Sequence, residues 1–279
     1  MNMPAMPDFR FSAQSLQDYV ECQRRFELRY IQKLDWPAEE SSPYLEFEQF
    51  RQKGNLFHQC VNQYFHHLAP QVIEKQIEDQ EVLCWWQNFL AFIATQSFTF
   101  STAETLFQTH IGGYPVVAKY DLLVLQKDGN YTIFDWKTTA REQKPKRSAF
   151  IQKMQTIIYP YVLSQCRFGH PDRNDIEPVS ITLIYWFPQF PEQPETFPYS
   201  TAQQVQDEKM LADLIHEIVI KPTGDFALVE DEKRCRFCVY RSYCGRGEKA
   251  GSMYSADANL DMEFSDMDLD IENVEEIRY

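Results

Sequence analysis

The sequence predicts a mixed α/β or α+β domain, a central sheet with helices packed against it. Three observations carry that expectation. Apolar residues recur at helical spacing through the first third, the pattern changes to period two between about Glu104 and Thr138, and helix, strand and helix patterns follow in turn. At 279 residues the chain can bury a large core, and 44% hydrophobic with 24% charged residues is ordinary for a globular protein.

Ser12 is the expected N-cap of a first helix running through Leu16, Tyr19 and Phe26 to Tyr30, and Trp36-Pro37 ends it. Two more helical stretches follow, from about Tyr44 to Leu68 and from about Val72 to Thr95. Glu104 to His110 reads as a strand, Gly112-Gly113 as a turn, and Tyr114 to Leu125 as a second strand. Lys127-Asp128-Gly129-Asn130 makes a hairpin turn into a third strand, Tyr131 to Thr138. A basic loop leads to a helix from Ser148 to Ser164, which Pro160 should kink or shorten. Val179 to Phe187 is a strongly β-forming run, and Pro188, Pro191, Pro194 and Pro198 mark an extended surface loop. Ala202 to Ile220 is a last amphipathic helix.

The net charge of −14 is unevenly spread. Nine acids stand against one base between Asp257 and Tyr279, a net of −8 that leaves −6 for the remainder. That tail has the composition of a disordered segment, and basic stretches such as Gln23-Arg24-Arg25 and Arg141 to Arg147 keep a nucleic-acid partner open. No apolar run approaches the ~20 residues of a membrane span. The opening MNMPAMPDFRF lacks a basic region followed by an apolar stretch, and seven cysteines without such a signal point to a reducing compartment. The cytoplasm is therefore the expected location.

The hairpin around Gly129 carries the most chemistry. Asp135 and Lys137 stand at i and i+2 and share a face of their strand. Asp121 joins them only if the turn is centred on Asp128, which needs an odd loop such as a three-residue one with Gly129 left-handed. An even two-residue loop would set Asp121 opposite Trp136 instead. In the odd register two carboxylates lie about 5 Å apart at their β-carbons beside an ammonium, an arrangement suited to a hard divalent cation. Taken alone, the same residues also suit a surface hairpin of alternating charge. Gly54 to His58 places a histidine one helical turn after a glycine, and Gln155 and Tyr159 share a helix face.

Cys235, Cys238 and Cys244 read C-x2-C-x5-C, and Cys22 stands alone near the start. Thiolates at that spacing suit zinc or an iron–sulfur cluster with Cys22 as fourth ligand, which would staple the two ends together. Cys60, Cys84 and Cys166 lie in apolar surroundings and are expected in the core.

The order of these pieces resembles that of the RecB/AddB-type branch of the PD-(D/E)XK nucleases, especially its iron–sulfur members among the small CRISPR-associated exonucleases. FSAQSLQDYVECQRRFELRY resembles the helix with the first cluster cysteine; Gly54 to His58 matches G-x-x-x-H. Asp121 matches the second-strand aspartate, Asp135-Trp136-Lys137 the D-x-K core, Gln155 to Tyr159 Q-x-x-x-Y, and Cys235, Cys238 and Cys244 close the cluster. The resemblance covers roughly 10–248, with Ala118 standing where many relatives have glycine. It implies a restriction-endonuclease-like mixed sheet flanked by helices, divided into an N-terminal helical segment (1–43), a nuclease core (44–225), a cysteine segment (226–250) and the acidic tail (251–279).

It further implies Mg2+ or Mn2+ bound by His58, Asp121, Asp135 and the main-chain carbonyl of Trp136, with Asp121, Asp135 and Lys137 catalytic. Gln155 and Tyr159 would position the substrate, and Glu104 is a further acidic candidate. A 4Fe–4S cluster would sit on Cys22, Cys235, Cys238 and Cys244, with structural Zn2+ as the alternative. The implied activity is an exonuclease acting on DNA single strands or duplex ends in repair, recombination or CRISPR adaptation, with no membrane partner. The chain has no G-x-x-x-x-G-K-[ST] loop, so a helicase motor or integration subunit would be a separate partner. The alternative is a non-catalytic nucleic-acid-binding or scaffold subunit.

Overall fold

The computed structural model describes Met6, residues 9–37, 42–166 and 176–247, and Lys249. The acidic tail expected at 251–279 lies outside the described residues. A six-stranded mixed sheet occupies the centre. Its strands are β1 (Phe11–Ser12), β2 (Phe98–Ile111), β3 (Tyr114–Gln126), β4 (Tyr131–Trp136), β5 (Ile181–Trp186) and β6 (Glu195–Pro198). The order is β1-β3-β4-β5-β6, with β2 on the other flank of β3. β2, β3 and β4 form an antiparallel meander, whereas β4 and β5 run parallel. A parallel neighbour requires a crossover, and the helices α6 (Ser148–Ile151) and α7 (Met154–Ser164) supply it.

Helices cover both faces and give the chain two cores. On one face α1 (Ala13–Glu21), α7 and α8 (Thr201–Ile220) bring Leu16, Ile158, Val162, Leu211 and Ile215 onto Val116, Leu123, Ile133 and Leu183. On the other, α3 (Ser42–Phe65) and α5 (Gln80–Ala94) set Phe57, Trp85, Trp86 and Phe89 on Leu122, Val124, Phe134, Trp136 and Trp186. The mixed sheet flanked by helices is the architecture that the periodicity implied.

Where elements differ from expectation, local physics explains it. The first helix does not run unbroken to Tyr30: Cys22 is extended at φ −161°, ψ 104°, and the chain resumes as α2 (Gln23–Phe26) and a π-turn over Glu27–Ile31. The stretch expected from Val72 to Thr95 splits into α4 (Pro70–Glu74) and α5, because Asp79 caps α5 by accepting from the amides of Glu81 and Val82. The crossover helix breaks at Lys153 (ψ 139°) rather than at Pro160, which α7 accommodates. β2 begins six residues before the expected Glu104, since the far half of β3 gives it a partner out to Gln126. Glu195–Pro198, expected as loop, pairs with β5 as an outer strand, a place where proline is tolerated.

Candidate active site

The site lies where β3 and β4 part. Their pairing runs from Leu125↔Tyr131 to Leu122↔Phe134 around a turn centred on Asp128, with Gly129 left-handed at φ +87°. One further step places Asp121 opposite Asp135, so the odd register is the one adopted. Asp121 does not continue the ladder. Its Oδ2 accepts the amide hydrogen of Trp136 at 2.7 Å, a carboxylate filling the place of a strand carbonyl. Beyond the fork, Lys137 donates its amide to the carbonyl of Trp186 at 2.9 Å.

A second irregularity faces this one. β2 and β3 pair through Ala103↔Leu122 and Thr105↔Tyr120, and between these pairs Glu104 adopts φ +51°. A left-handed non-glycine residue costs about 1–3 kcal/mol, which surrounding structure must offset. Here the strand changes faces: Tyr120 packs in the core under α7, Leu122 in the core under α3 and α5. The switch turns Glu104 and Asp121 toward α3, where His58 projects.

His58 Nδ1 lies 3.5 Å from Asp121 Oδ1. Ligand atoms of His58, Glu104 and Asp121 all lie within 4.8 Å of one another, a trio able to hold a metal ion. Two carboxylates and an imidazole form a donor set for a hard or borderline cation, so these residues fit the divalent ion that the sequence implied. Burial opposes the charge on His58, but Asp121, with Glu104 and Asp135, outweighs it and raises the imidazole pKa. Burial likewise opposes a charged Asp121; His58, the Trp136 amide and Lys137 nevertheless hold its carboxyl below the usual range. Burial and the charge of Asp121 raise Glu104, against the pull of Lys119 and His58.

The other side of the fork is a buried polar chain. Asp135 is 1% exposed and pairs with Lys137 Nζ at 2.8 Å. The same ammonium donates to Gln155 Oε1 at 2.6 Å and lies 5.3 Å from the centre of the Tyr185 ring. Gln155 in turn donates through Nε2 to the Tyr159 hydroxyl at 3.2 Å.

Of the residues singled out in the sequence, the structure gathers His58, Asp121, Asp135 and Lys137 at one fork and sets the further acidic candidate, Glu104, beside His58 and Asp121. It also sets Gln155 and Tyr159 behind Lys137, as supports for the lysine. The Trp136 amide donates to Asp121, and its ring packs in the core under α3 and α5. Sequence reasoning passed over Lys119, whose ammonium pairs with Glu104. The signal was present: Lys119 and Asp121 form K-x-D on β3, the mirror of D-x-K on β4.

The cysteine-bearing segments meet at the opposite end of α3. Arg24 donates its amide to the Ala227 carbonyl at 3.0 Å, and the Trp36 indole donates to Ser242 Oγ at 3.0 Å. Tyr240 donates its hydroxyl to the Leu34 carbonyl at 3.0 Å, and Phe237 stacks on Phe47 with ring centres 5.3 Å apart. Burial pushes the Cys235 thiol up to about 11, with Cys238, Cys22 and Cys244 adding to it. Burial raises Cys238 and Cys244 as well, with Cys22 again contributing. The four thiols thus share one neighbourhood. Of the three cysteines expected in the core, Cys60 is buried and Cys166 half-buried, but Cys84 is exposed because it falls on the outer side of α5.

Comparison with known proteins adds the family. A family model described as the PD-(D/E)XK nuclease superfamily matches residues 10–245. Among solved structures, SSO0001 is similar at 14% identity and TM-score 0.39, covering 84% of this chain and 85% of that one. A candidate exonuclease from Eubacterium rectale is similar at 14% identity and TM-score 0.47, covering 82% and 86%. No curated protein matches. Among the described residues, no helix is long and apolar enough to cross a membrane.

Proposed function

The chain belongs to the PD-(D/E)XK nuclease superfamily, and we propose that it is a Mg2+- or Mn2+-dependent nuclease that hydrolyses DNA phosphodiester bonds, acting as an exonuclease on single strands or duplex ends. The observation that carries this reading is the convergence of His58, Glu104 and Asp121 within 4.8 Å, across the fork from Asp135 and Lys137.

A divalent cation, when bound, supplies Lewis-acid charge and an activated water. His58, Glu104 and Asp121 would hold it, with Asp135 and the Trp136 carbonyl as further ligands from the facing strand. Lys137 offsets the negative charge that grows on the phosphoryl oxygens as the leaving oxygen departs. Asp135 and Gln155 fix the ammonium beforehand, so little reorganisation is needed at the moment of reaction.

The four thiols are proposed to carry a 4Fe–4S cluster, with structural zinc as the alternative. Their shared neighbourhood, drawn from both ends of the described chain, supports a bound soft metal. The pathway reading is DNA repair and recombination or CRISPR adaptation, with any motor or integration subunit a separate chain.

Anaerobically purified protein, end-labelled single- and double-stranded DNA, and Mg2+ or Mn2+ test the reading beside Asp121→Ala and Lys137→Ala. Loss of cleavage in both variants is expected. A wild-type protein that cleaves nothing, or cleavage that survives both changes, sinks it. Broad visible absorption lost in Cys238→Ser is the outcome expected for iron–sulfur; a colourless protein with stoichiometric zinc decides for the alternative.

A further inference from the structure

Lys119 has no role in the mechanism so far. It stands on β3 opposite Leu106, two residues before Asp121, and its ammonium is ion-paired with Glu104 Oε2. The lysine side chain keeps 29% exposure, against 3% for Lys137. One lysine is locked among buried partners; the other sits at the rim of the site, where a ligand arriving from solvent meets it.

The charges explain why a cation belongs there. Glu104 and Asp121 set two carboxylates within 4.8 Å of each other, a repulsive pair when both are ionised. Lys119 offsets the repulsion from the Glu104 side and His58 from the Asp121 side. A divalent cation offers Glu104 twice the charge and competes with the ammonium for it. Displaced from Glu104, Lys119 remains at the rim beside a newly bound cation, one residue from Tyr120 and two from Asp121. The anion available to it there is a backbone phosphate of the strand being cleaved.

We propose that Lys119 is a positioning residue with two partners. It holds Glu104 while the divalent cation is absent, then turns to a phosphate oxygen of the bound nucleic acid when Glu104 ligates the cation. The proposal rests on the metal-site reading given above, and it adds a phosphate contact and a competing charge to that site.

Both halves are measurable on the full chain without turnover. Mn2+ alone, followed by electron paramagnetic resonance of the free ion, should bind Lys119→Met about tenfold more tightly than wild type, because a repelling charge has been removed. A single-stranded oligonucleotide, bound in Ca2+ to suspend cleavage, should bind the same variant about tenfold more weakly. Its log–log salt dependence should be shallower by about 0.7, the value of one lost phosphate contact. Lys119→Arg should keep both wild-type values. If the methionine variant fails to fold, Lys119→Gln at this partly exposed position gives the same readings. Unchanged or weakened Mn2+ affinity overturns the proposal, as does unchanged oligonucleotide affinity. Wild-type protein that binds no Mn2+ overturns the metal-site reading beneath it, so the two failures are distinguishable.

Discussion

The strand fork and the cysteine neighbourhood both gather metal-ligating groups, but the fold prepares them in opposite ways. At the fork each charge already has a counter-charge: Asp121 faces His58, Glu104 faces Lys119, and Asp135 faces Lys137. Asp121 is held ionised in spite of its burial. At the cysteines burial is the largest influence, raising Cys235 to about 11 and raising Cys238 and Cys244 as well, so that ligation by those three releases protons. Hydrogen bonds and ring contacts of Trp36, Tyr240 and Phe237 join the two segments at that end of the molecule. The fork sets its charges in standing pairs, whereas the cysteine end joins its segments through backbone bonds and ring contacts around one buried and three half-buried thiols.

The largest expected effect breaks the fork. Lys137→Met should reduce cleavage on the order of a thousandfold, since the positioned ammonium is lost. The same change strands Asp135 at 1% exposure and should cost about 3–5 kcal/mol in denaturant unfolding. The double variant Asp135→Asn/Lys137→Met should regain most of that stability and none of the activity. A single variant as stable as wild type would show that the pair is not a buried counter-charge.

A middle-sized effect tests whether the two regions are independent. α3 touches both, with Phe47 against Phe237 near its start and His58 about three turns further on. Phe237→Ala should cost about 2 kcal/mol by removing a half-buried ring stack. Faster amide exchange around Trp36 and Tyr240 should accompany it. Mn2+ affinity at the fork should stay within about twofold, because Trp85, Phe89 and the sheet hold the second half of α3. A tenfold loss would mean that the helix transmits the state of one site to the other.

How much of this was legible in the sequence follows from the range of the interactions. The hairpin register was legible up to one binary choice, because Gly129 permits the left-handed turn that an odd loop needs. Strand period alone made Asp135 and Lys137 legible as neighbours; His58 and Asp121 joined them as a set only through the order of motifs that resembles the nuclease family. Glu104 was visible only as a weak candidate: its importance comes from a left-handed backbone and a switch of faces, which alternation cannot predict at a non-glycine position. Lys119 was visible as K-x-D on β3, but the partner that gives it meaning, Glu104, was not placed beside it. The extended Cys22 was hidden too, since the apolar spacing of the first helix continues straight across it. β6 was missed because prolines were read as loop, whereas an outer strand leaves the proline nitrogen without a ladder bond to lose.

The smallest expected effect isolates what burial does to a carboxylate without a cation. Asp207 on α8 accepts from the Tyr199 hydroxyl at 3.0 Å, and burial raises its pKa to about 6, with the Tyr199 bond pulling the other way. Tyr161 and Glu208 lie in the same neighbourhood. Asp121, buried against an imidazole, moves in the opposite direction. A carboxyl whose folded pKa lies above its unfolded value near 4 contributes stability below pH 4 and loses it as pH rises through 6. Wild-type stability should therefore carry a decline of about 1 kcal/mol between those values that Asp207→Asn removes, leaving the variant slightly more stable at pH 7. Thermal unfolding at pH 4, 5, 6 and 7 measures it. Parallel curves for the two proteins would mean that solvent reaches Asp207 freely, and the contrast with Asp121 would then rest on the absence of burial rather than on the absence of a cation.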